Sequence, residues 1–196
     1  MGPYKLILAD PPWLFRNWSA DVPGMIHNRS RGAAKHYPCM TLADICALRP
    51  PAAQDAILLL WTISSHLEDA FQVIKAWGFT YKTKAWPWIK ITSAGAPKMG
   101  MGYWTRQCSE DCLLATRGNP PSPQFRGELG LIMAPPGRHS EKPDEQYSKI
   151  DRLFPDLAPR LEMFARVRRP GWDVFGNQVE NSIVIEPSPV QRRMAI

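Results

Sequence analysis

The first apolar segment of this chain ends in a motif through which a β-sheet cannot continue. Residues 4–9, Tyr-Lys-Leu-Ile-Leu-Ala, form the apolar run of a buried strand. Pro11 and Pro12 must end that strand, because neither proline can donate a hydrogen bond to a neighbouring strand. Asp10, the two prolines and an indole predicted to be exposed, Trp13, therefore lie at a strand's carboxyl end, where open α/β sheets bind ligands.

The Asp10-Pro11-Pro12-Trp13 motif has the groups needed to methylate an exocyclic amine of a nucleobase. The Asp10 carboxylate and a main-chain carbonyl in the Pro-Pro bend can hold the amine N–H groups, so that the nitrogen lone pair faces a methyl donor. The Trp13 ring can stack an extruded base, which is worth roughly 1–3 kcal/mol. The same residues also suit an edge strand that ends in a turn and a core tryptophan, so the rest of the chain must distinguish the two.

Size and composition favour one globular domain. The chain has 196 residues, of which 44% are hydrophobic and 21% charged, as in soluble proteins. No apolar run approaches the ~20 residues of a membrane span, and the amino terminus has no signal-peptide pattern, so we expect a cytoplasmic protein. The net charge of +6 suits a polyanionic partner, although many basic proteins have none.

The four cysteines form no paired Cys-x-x-Cys motif. Cys46 falls on an apolar helical face and Cys112 in a strand pattern, so we expect buried free thiols and no metal site.

The middle of the chain alternates strand and helix patterns. Residues 56–61 are apolar throughout, as in a central parallel strand. A helix is predicted to follow, capped by Ser65 and ended by Gly78, and residues 79–91 predict the next strand. The helix is predicted to bury a stripe that comprises Leu67, Phe71, Ile74 and Trp77. This order predicts a βαβ unit and hence a mostly parallel sheet.

Further elements complete one domain over residues 1–187, with a flexible tail over 188–196. Thr41 with Asp44 predicts the start of a short helix. A second helix is predicted over 143–154, with Pro143 in its first turn. Further strands are predicted over residues 112–116, 129–134, 161–165 and 172–175, with a short edge strand over 183–185.

Two long segments lack periodicity. Residues 14–40 follow the proposed catalytic strand directly, which favours a substrate-facing loop over a mobile insertion. Residues 92–106 combine glycines with basic and aromatic side chains suited to phosphate contact and stacking, namely Lys98, Tyr103, Trp104 and Arg106. A surface loop with a partly buried aromatic pair explains this second segment equally well.

Several common catalytic motifs are missing from the sequence. It contains no G-x-G-x-x-G, no G-x-x-x-x-G-K-[ST] and no G-x-S-x-G. Dinucleotide, P-loop triphosphate and serine-hydrolase functions therefore have no sequence support.

Four blocks together carry a family resemblance. They are residues 10–13 (DPPW), 139–145 (HSEKPDE), 161–166 (LEMFAR) and 171–178, which contain GW and GNQ. In this order they resemble the MT-A70 family of adenine N6-methyltransferases, over about residues 5–179.

The resemblance implies a Rossmann-like class I fold that uses S-adenosylmethionine: an α/β domain with a mostly parallel sheet flanked by helices. The catalytic block precedes the cofactor blocks, as in permuted members of this fold. Asp10, Pro11, Pro12 and Trp13 would be catalytic. Cofactor contacts would come from Ala9, Asp10, Ser140, Lys142, Glu162, Phe164, Arg166, Asn177 and Gln178. Tyr37 and Glu110 would join Lys98, Tyr103, Trp104 and Arg106 around the substrate.

Two departures from the family pattern concern the cofactor. The segment before Asp10 is very short, so a contact that longer members draw from upstream is absent or replaced. Val167-Arg168-Arg169 stands where some relatives have a His-Asn pair at the adenosine.

We expect N6-methylation of adenine in DNA, because the compact form resembles bacterial and phage members. Methylation of RNA, or an inactive nucleic-acid-binding partner subunit, are the alternatives. A similar acidic-Pro-Pro-aromatic motif also serves cytosine N4 enzymes. We expect pairing, as a homodimer or with a partner subunit, because so small a domain covers little DNA.

Overall fold

The computed structural model describes residues 3–14, 39–102, 104–137 and 141–187. These residues form seven strands and three α-helices. In chain order they are β1 (Tyr4–Ala9), α1 (Leu42–Ala47), β2 (Ala52–Thr62), α2 (Leu67–Ala76), β3 (Thr80–Lys90), β4 (Ser109–Arg117), β5 (Ile132–Ala134), α3 (Glu145–Leu153), β6 (Arg160–Met163) and β7 (Asp173–Phe175).

The strands form one mostly parallel sheet in the order β5-β3-β4-β2-β1-β6-β7. Strand β1 is central and runs parallel to both β2 and β6. Strand β4 lies between β2 and β3 and is antiparallel to both, so β2 and β3 are parallel to each other, as the βαβ pattern predicts. The chain builds one side of the sheet from β1 to β5 and then returns beside β1 with β6, which creates a topological switch point.

Helices cover both faces of the sheet, which confirms the predicted α/β architecture. On one face, α1 and α2 pack against a core that includes Ile7, Leu58 and Leu60. On the other face, α3 packs against a core that includes Leu8 and Trp61. Alternate residues of β1 and β2 thus enter opposite cores, which explains why residues 6–9 and 56–61 are apolar at every position.

The start of α2 differs from the prediction. Residues 64–66 form a 3-10 turn, and the helix begins at Leu67 without a side-chain cap, so Ser65 does not cap it. Its buried side chains are Ala70, Val73 and Ile74, whereas Leu67 and Phe71 are 36% and 38% exposed. A 3-10 turn precedes the helix, and the hydrophobic periodicity of the sequence did not show which face of the helix is directed at the sheet.

The predicted edge strand over residues 183–185 is wrong. Ser182 makes the hydrogen bonds to Val174 at this edge instead. Its backbone N–H donates to the Val174 carbonyl, and its hydroxyl accepts from the Val174 N–H. Helix α3 begins two residues after Pro143 rather than including it. The Thr41 cap is confirmed, since the Thr41 hydroxyl accepts from the Asp44 N–H, and Gly78 ends α2 with a φ of +81°.

The cysteine prediction is confirmed for Cys46 and Cys112, which are buried free thiols. Among the described residues, no group of three or more His, Cys, Asp or Glu side chains could hold a metal ion. No helix in the described part of the chain is long and apolar enough to cross a membrane.

Candidate active site

A cavity of about 200 Å³ lies at the switch point between β1 and β6. The register pairs Leu8 with Glu162, and Asp10 lies two residues beyond Leu8, so Asp10 continues the same face at the strand end. The residues that line the cavity are Leu8, Asp10, Trp61, Glu141, Lys142, Gln146, Tyr147, Glu162, Phe164, Arg166, Val167, Arg169 and Gln178.

The Pro-Pro bend is held by backbone hydrogen bonds on both sides. The Pro11 carbonyl accepts from the Trp13 N–H at 2.9 Å, and the Pro12 carbonyl accepts from the Met40 N–H at 2.9 Å. Each carbonyl oxygen keeps a second lone pair for another donor. The bend therefore fixes the direction in which the Asp10 side chain leaves the strand.

Trp13 is buried, which corrects the expectation of an exposed indole. The residue is 7% exposed, and its ring N–H donates to the Trp61 carbonyl at 3.2 Å. The Trp13 ring stacks on His66, with 5.6 Å between centroids and 12° between planes. Burial of a large aromatic ring whose N–H has a hydrogen-bond partner is more favourable than its exposure to water. In this structure Trp13 therefore supports the Asp10-Pro11-Pro12 segment by packing against the core.

A chain of alternating charges extends from Asp10 to β3. The Lys142 ammonium donates to Asp10 at 2.6 Å and lies 3.2 Å from Glu110. Glu110 in turn accepts from Lys90 at 2.5 Å. Lys142 also lies over the Trp61 ring, 5.6 Å from its centroid. These contacts hold an almost fully buried lysine at one point between two carboxylates.

Burial and neighbouring charges compete at each of these groups. Burial raises the pKa of Asp10, and the Lys142 ammonium opposes that rise. Burial also tends to raise the pKa of Glu110, but the charges of Lys142 and Lys90 lower it overall. Burial tends to lower the pKa of Lys142, and the two carboxylates raise it above its ordinary value. Lys142 is therefore a cation at every pH at which the protein functions.

Glu162, on β6, presents an unused hydrogen-bond acceptor. Its Oε1 atom accepts from the Tyr147 hydroxyl at 3.0 Å. Its Oε2 atom is buried and has no hydrogen-bond partner among the described residues. Burial raises the pKa of Glu162 to about 7. A buried acceptor without a donor is costly, and such a group at a cavity is expected to bind a ligand hydroxyl.

The backbone beside the cavity is strained. Phe164, which lines the cavity directly after β6, has a φ of +62°, an outlier for a bulky residue. That conformation ends the strand two residues before the predicted end. At Gly176, a Cβ would lie 2.2 Å from the Ala165 carbonyl oxygen, so only glycine allows this close approach.

Comparison with known protein families identifies the family of this chain. Its residues 4–178 match the model of the MT-A70 family.

The chain belongs to the MT-A70 family.

Individual relatives agree with this assignment. The chain is 29% identical to the type II methyltransferase M.MunI of Mycoplasma sp, over 94% of this chain and 82% of the relative. It is 28% identical to the N(6)-adenosine-methyltransferase MT-A70-like protein of Drosophila melanogaster and 27% identical to the N(6)-adenosine-methyltransferase catalytic subunit METTL3 of Homo sapiens. It spans 29% and 31% of those two proteins, less than a third of each.

Several residues predicted from the MT-A70 resemblance meet at the cavity. Asp10, Lys142, Glu162, Phe164, Arg166 and Gln178 line it, and Glu110 reaches it through Lys142. The buried Ala9 and the exposed Asn177, Lys98, Trp104 and Arg106 do not line it. Tyr37, Tyr103, Ser140, residues 188–196, for which a flexible tail was predicted, and almost all of the segment over 14–40 lie outside the described residues.

Sequence reasoning missed other lining residues: Leu8, Trp61, Glu141, Gln146, Tyr147, Val167 and Arg169. Tyr147 lies within the helix predicted over 143–154, and Arg169 appeared only as a departure from the family pattern. The available signal was a phenol near the start of a helix that follows Lys-Pro-Asp-Glu, since a buried phenol needs a polar partner.

Proposed function

We propose that this protein is an S-adenosylmethionine-dependent methyltransferase that acts on the N6 amine of adenine in DNA. The observation that carries the proposal is the meeting of Asp10 and Glu162 in one cavity, at the strand ends where β1 and β6 are neighbours. This arrangement offers an acceptor for an amine and an acceptor for a ribose within one site. Membership of the MT-A70 family supports the same chemistry.

Glu162 suits the ribose of S-adenosylmethionine, the cofactor that MT-A70 methyltransferases use. Its free, buried Oε2 atom can accept a hydrogen bond from a ribose hydroxyl. Gln178 and Phe164, which line the cavity, would contact the adenine, and Lys142 and Arg166 would supply positive charge for the carboxylate end. When bound, the cofactor supplies an electrophilic methyl group on a sulfonium centre.

Asp10 would hold the target amine. Its Oδ2 atom accepts from Lys142, which leaves Oδ1 to accept from an amine N–H. The Pro11 carbonyl is the second acceptor, with the lone pair that Trp13 does not use. Methylation would form a bond between the amine nitrogen and the methyl carbon as the methyl–sulfur bond breaks, with S-adenosylhomocysteine as the leaving group. The nitrogen would lose one proton, and the raised pKa of Asp10 suits a carboxylate that takes that proton.

The loop between β3 and β4 is our proposal for a nucleic-acid contact. Trp104 is 97% exposed, with a φ of +53°, and Lys98 and Arg106 are exposed on the same loop. An exposed indole between cations suits a stacked base and its phosphates. Replacing Trp104 by alanine should weaken DNA binding by about 10-fold or more, with cofactor affinity unchanged.

DNA is the preferred polymer because the chain covers most of a bacterial type II methyltransferase. RNA is the second candidate, because the names of the animal relatives refer to adenosine, which is a ribonucleoside. We also propose a methyltransferase domain over residues 1–187, location in the cytoplasm, and action as a homodimer or with a partner subunit. Light scattering of the purified chain would reveal a homodimer.

The deciding experiment supplies labelled S-adenosylmethionine with matched duplex DNA, single-stranded DNA and RNA, followed by digestion to nucleosides. N6-methyldeoxyadenosine from the wild type, and none from Asp10→Ala, is the expected result. Asp156→Asn is the matched control, because this exposed carboxylate bonds Gln124 outside the cavity. Methylated adenosine from RNA alone would select the second candidate. Unchanged methylation of DNA by Asp10→Ala would refute the proposed role of Asp10.

A further inference from the structure

We infer that Tyr147 and Arg169 are positioning residues that hold Glu162 for the cofactor's ribose and so determine how strongly the enzyme recognises ribose hydroxyls. The inference rests on the proposed function, since it requires Glu162 to bind that ribose. It assigns a role to a helix residue, and to a loop arginine that stands where the family pattern changes.

The hydrogen bond from Tyr147 occupies one carboxylate oxygen of Glu162 and leaves the other available to a ligand. The Tyr147 hydroxyl donates to Oε1 at 3.0 Å, and Oε2 keeps no partner among the described residues. A carboxylate that is fixed at one oxygen cannot rotate freely, so the other oxygen stays directed at one position. A ribose hydroxyl that reaches Oε2 then meets an acceptor already oriented for it.

Arg169 holds Tyr147 in turn. Its guanidinium lies 4.1 Å from the centroid of the phenol ring. The same guanidinium is anchored by an ion pair with Asp144, just before α3. Trp172 contacts the phenol edge-on, with 5.8 Å between ring centroids. Tyr147 is therefore restrained on two sides, and its hydroxyl has little freedom to leave Glu162.

The pKa of Glu162 depends on charged and polar groups from the elements that pack against it. Asp10 at the end of β1 raises its pKa, whereas the Tyr147 hydrogen bond and the Arg169 charge lower it against the larger effect of burial. Arg166 and Lys142 also line the cavity. Loss of either positioning residue therefore leaves Glu162 protonated up to a higher pH, and a protonated carboxyl is a weaker acceptor for a hydroxyl.

The test measures binding of S-adenosylhomocysteine, and of its 2′-deoxy and 3′-deoxy analogues, by calorimetry across pH 5.5–9. In the wild type, the analogue that lacks the recognised hydroxyl should bind about 10- to 100-fold more weakly. In Tyr147→Phe, which keeps the ring, this deoxy penalty should fall to about 3-fold or less. The pH at which affinity reaches half its maximum should also move upward.

Matched variants separate positioning from folding. Arg169→Lys keeps the charge but loses the planar stack, and it should reduce the deoxy penalty in the same direction as Tyr147→Phe. Tyr81→Phe and Arg117→Lys make the same substitutions at exposed positions outside the cavity, and both should bind like the wild type.

Each outcome has a distinct meaning. If Tyr147→Phe weakens the parent ligand and both analogues equally, with an unchanged pH profile, Tyr147 has only a structural role and the inference is overturned. If the wild type binds S-adenosylhomocysteine with no deoxy penalty, the inference is also overturned. If the wild type binds no S-adenosylhomocysteine at all, the proposed function itself fails.

Discussion

Replacing Glu162 by glutamine should stabilise the protein while it weakens cofactor binding. Burial raises the pKa of Glu162 from 4.5 to about 7 in the folded protein. At about 1.36 kcal/mol per pH unit, ionising this carboxyl in the folded protein costs about 3 kcal/mol more than in the unfolded chain. Solvent at the open cavity screens part of that cost, so we expect a gain of about 2 kcal/mol for Glu162→Gln at pH 8.

The sign of this effect depends on pH. Below the unfolded pKa of 4.5 the carboxyl is neutral in both states, so the gain should vanish at pH 4. Between 4.5 and about 7 the gain grows, and above pH 7 it should be constant. For a chain of this size, 2 kcal/mol corresponds to a rise in Tm of roughly 4–8 °C. Urea unfolding at pH 4, 6 and 8 measures the free energy of unfolding directly.

Glu128 offers a control of opposite sign. Hydrogen bonds from Arg152 and Lys149 lower the pKa of Glu128 to about 2. Glu128→Gln should therefore destabilise the protein at pH 8, because it removes the nearer of the two carboxylates that pair with the buried Lys149 and leaves only Glu145 at 3.5 Å. If Glu162→Gln were no more stable than the wild type at pH 8, or equally stabilising at pH 4, the pKa of Glu162 would not be raised by burial and the reasoning would be refuted.

Three further outcomes follow from the geometry. Lys142→Met should destabilise the protein by about 3–5 kcal/mol at pH 8, and by less at pH 5, because it leaves the Asp10 carboxylate buried without its cation and leaves Glu110 paired with Lys90 alone; urea unfolding at both pH values would show whether the pH dependence exists. Trp13→Phe should lower stability by about 1–2 kcal/mol and reduce methylation with unchanged cofactor affinity, so an altered calorimetric Kd would contradict a purely supporting role. Gly176→Ala should weaken cofactor binding by at least about 10-fold, because its Cβ would displace neighbouring backbone, and wild-type affinity would show that the backbone relaxes instead.

Local patterns along the chain predicted most of the elements. Residues 6–9 and 56–61 are apolar at every position because each strand is covered on both faces, and that pattern can be recognised without knowing the neighbouring strands. Thr41 and Gly78 act within one turn of their own helices, so their roles were also predictable. The family blocks further predicted that Asp10, Lys142 and Glu162 would share a site, as the cavity shows.

Tertiary structure decided everything that depends on contacts between distant residues. The sequence contains Trp13, but whether its ring faces a ligand or packs on His66 depends on where α2 crosses the sheet. Lys142 meets Asp10 and Glu110 only because β1, β4 and the segment before α3 converge, with 132 residues between Lys142 and Asp10. Tyr147 and Arg169 became a support for Glu162 only through the packing of α3 on β6. Propensity and periodicity act over a few residues, whereas strand register and helix packing join groups that no local pattern relates.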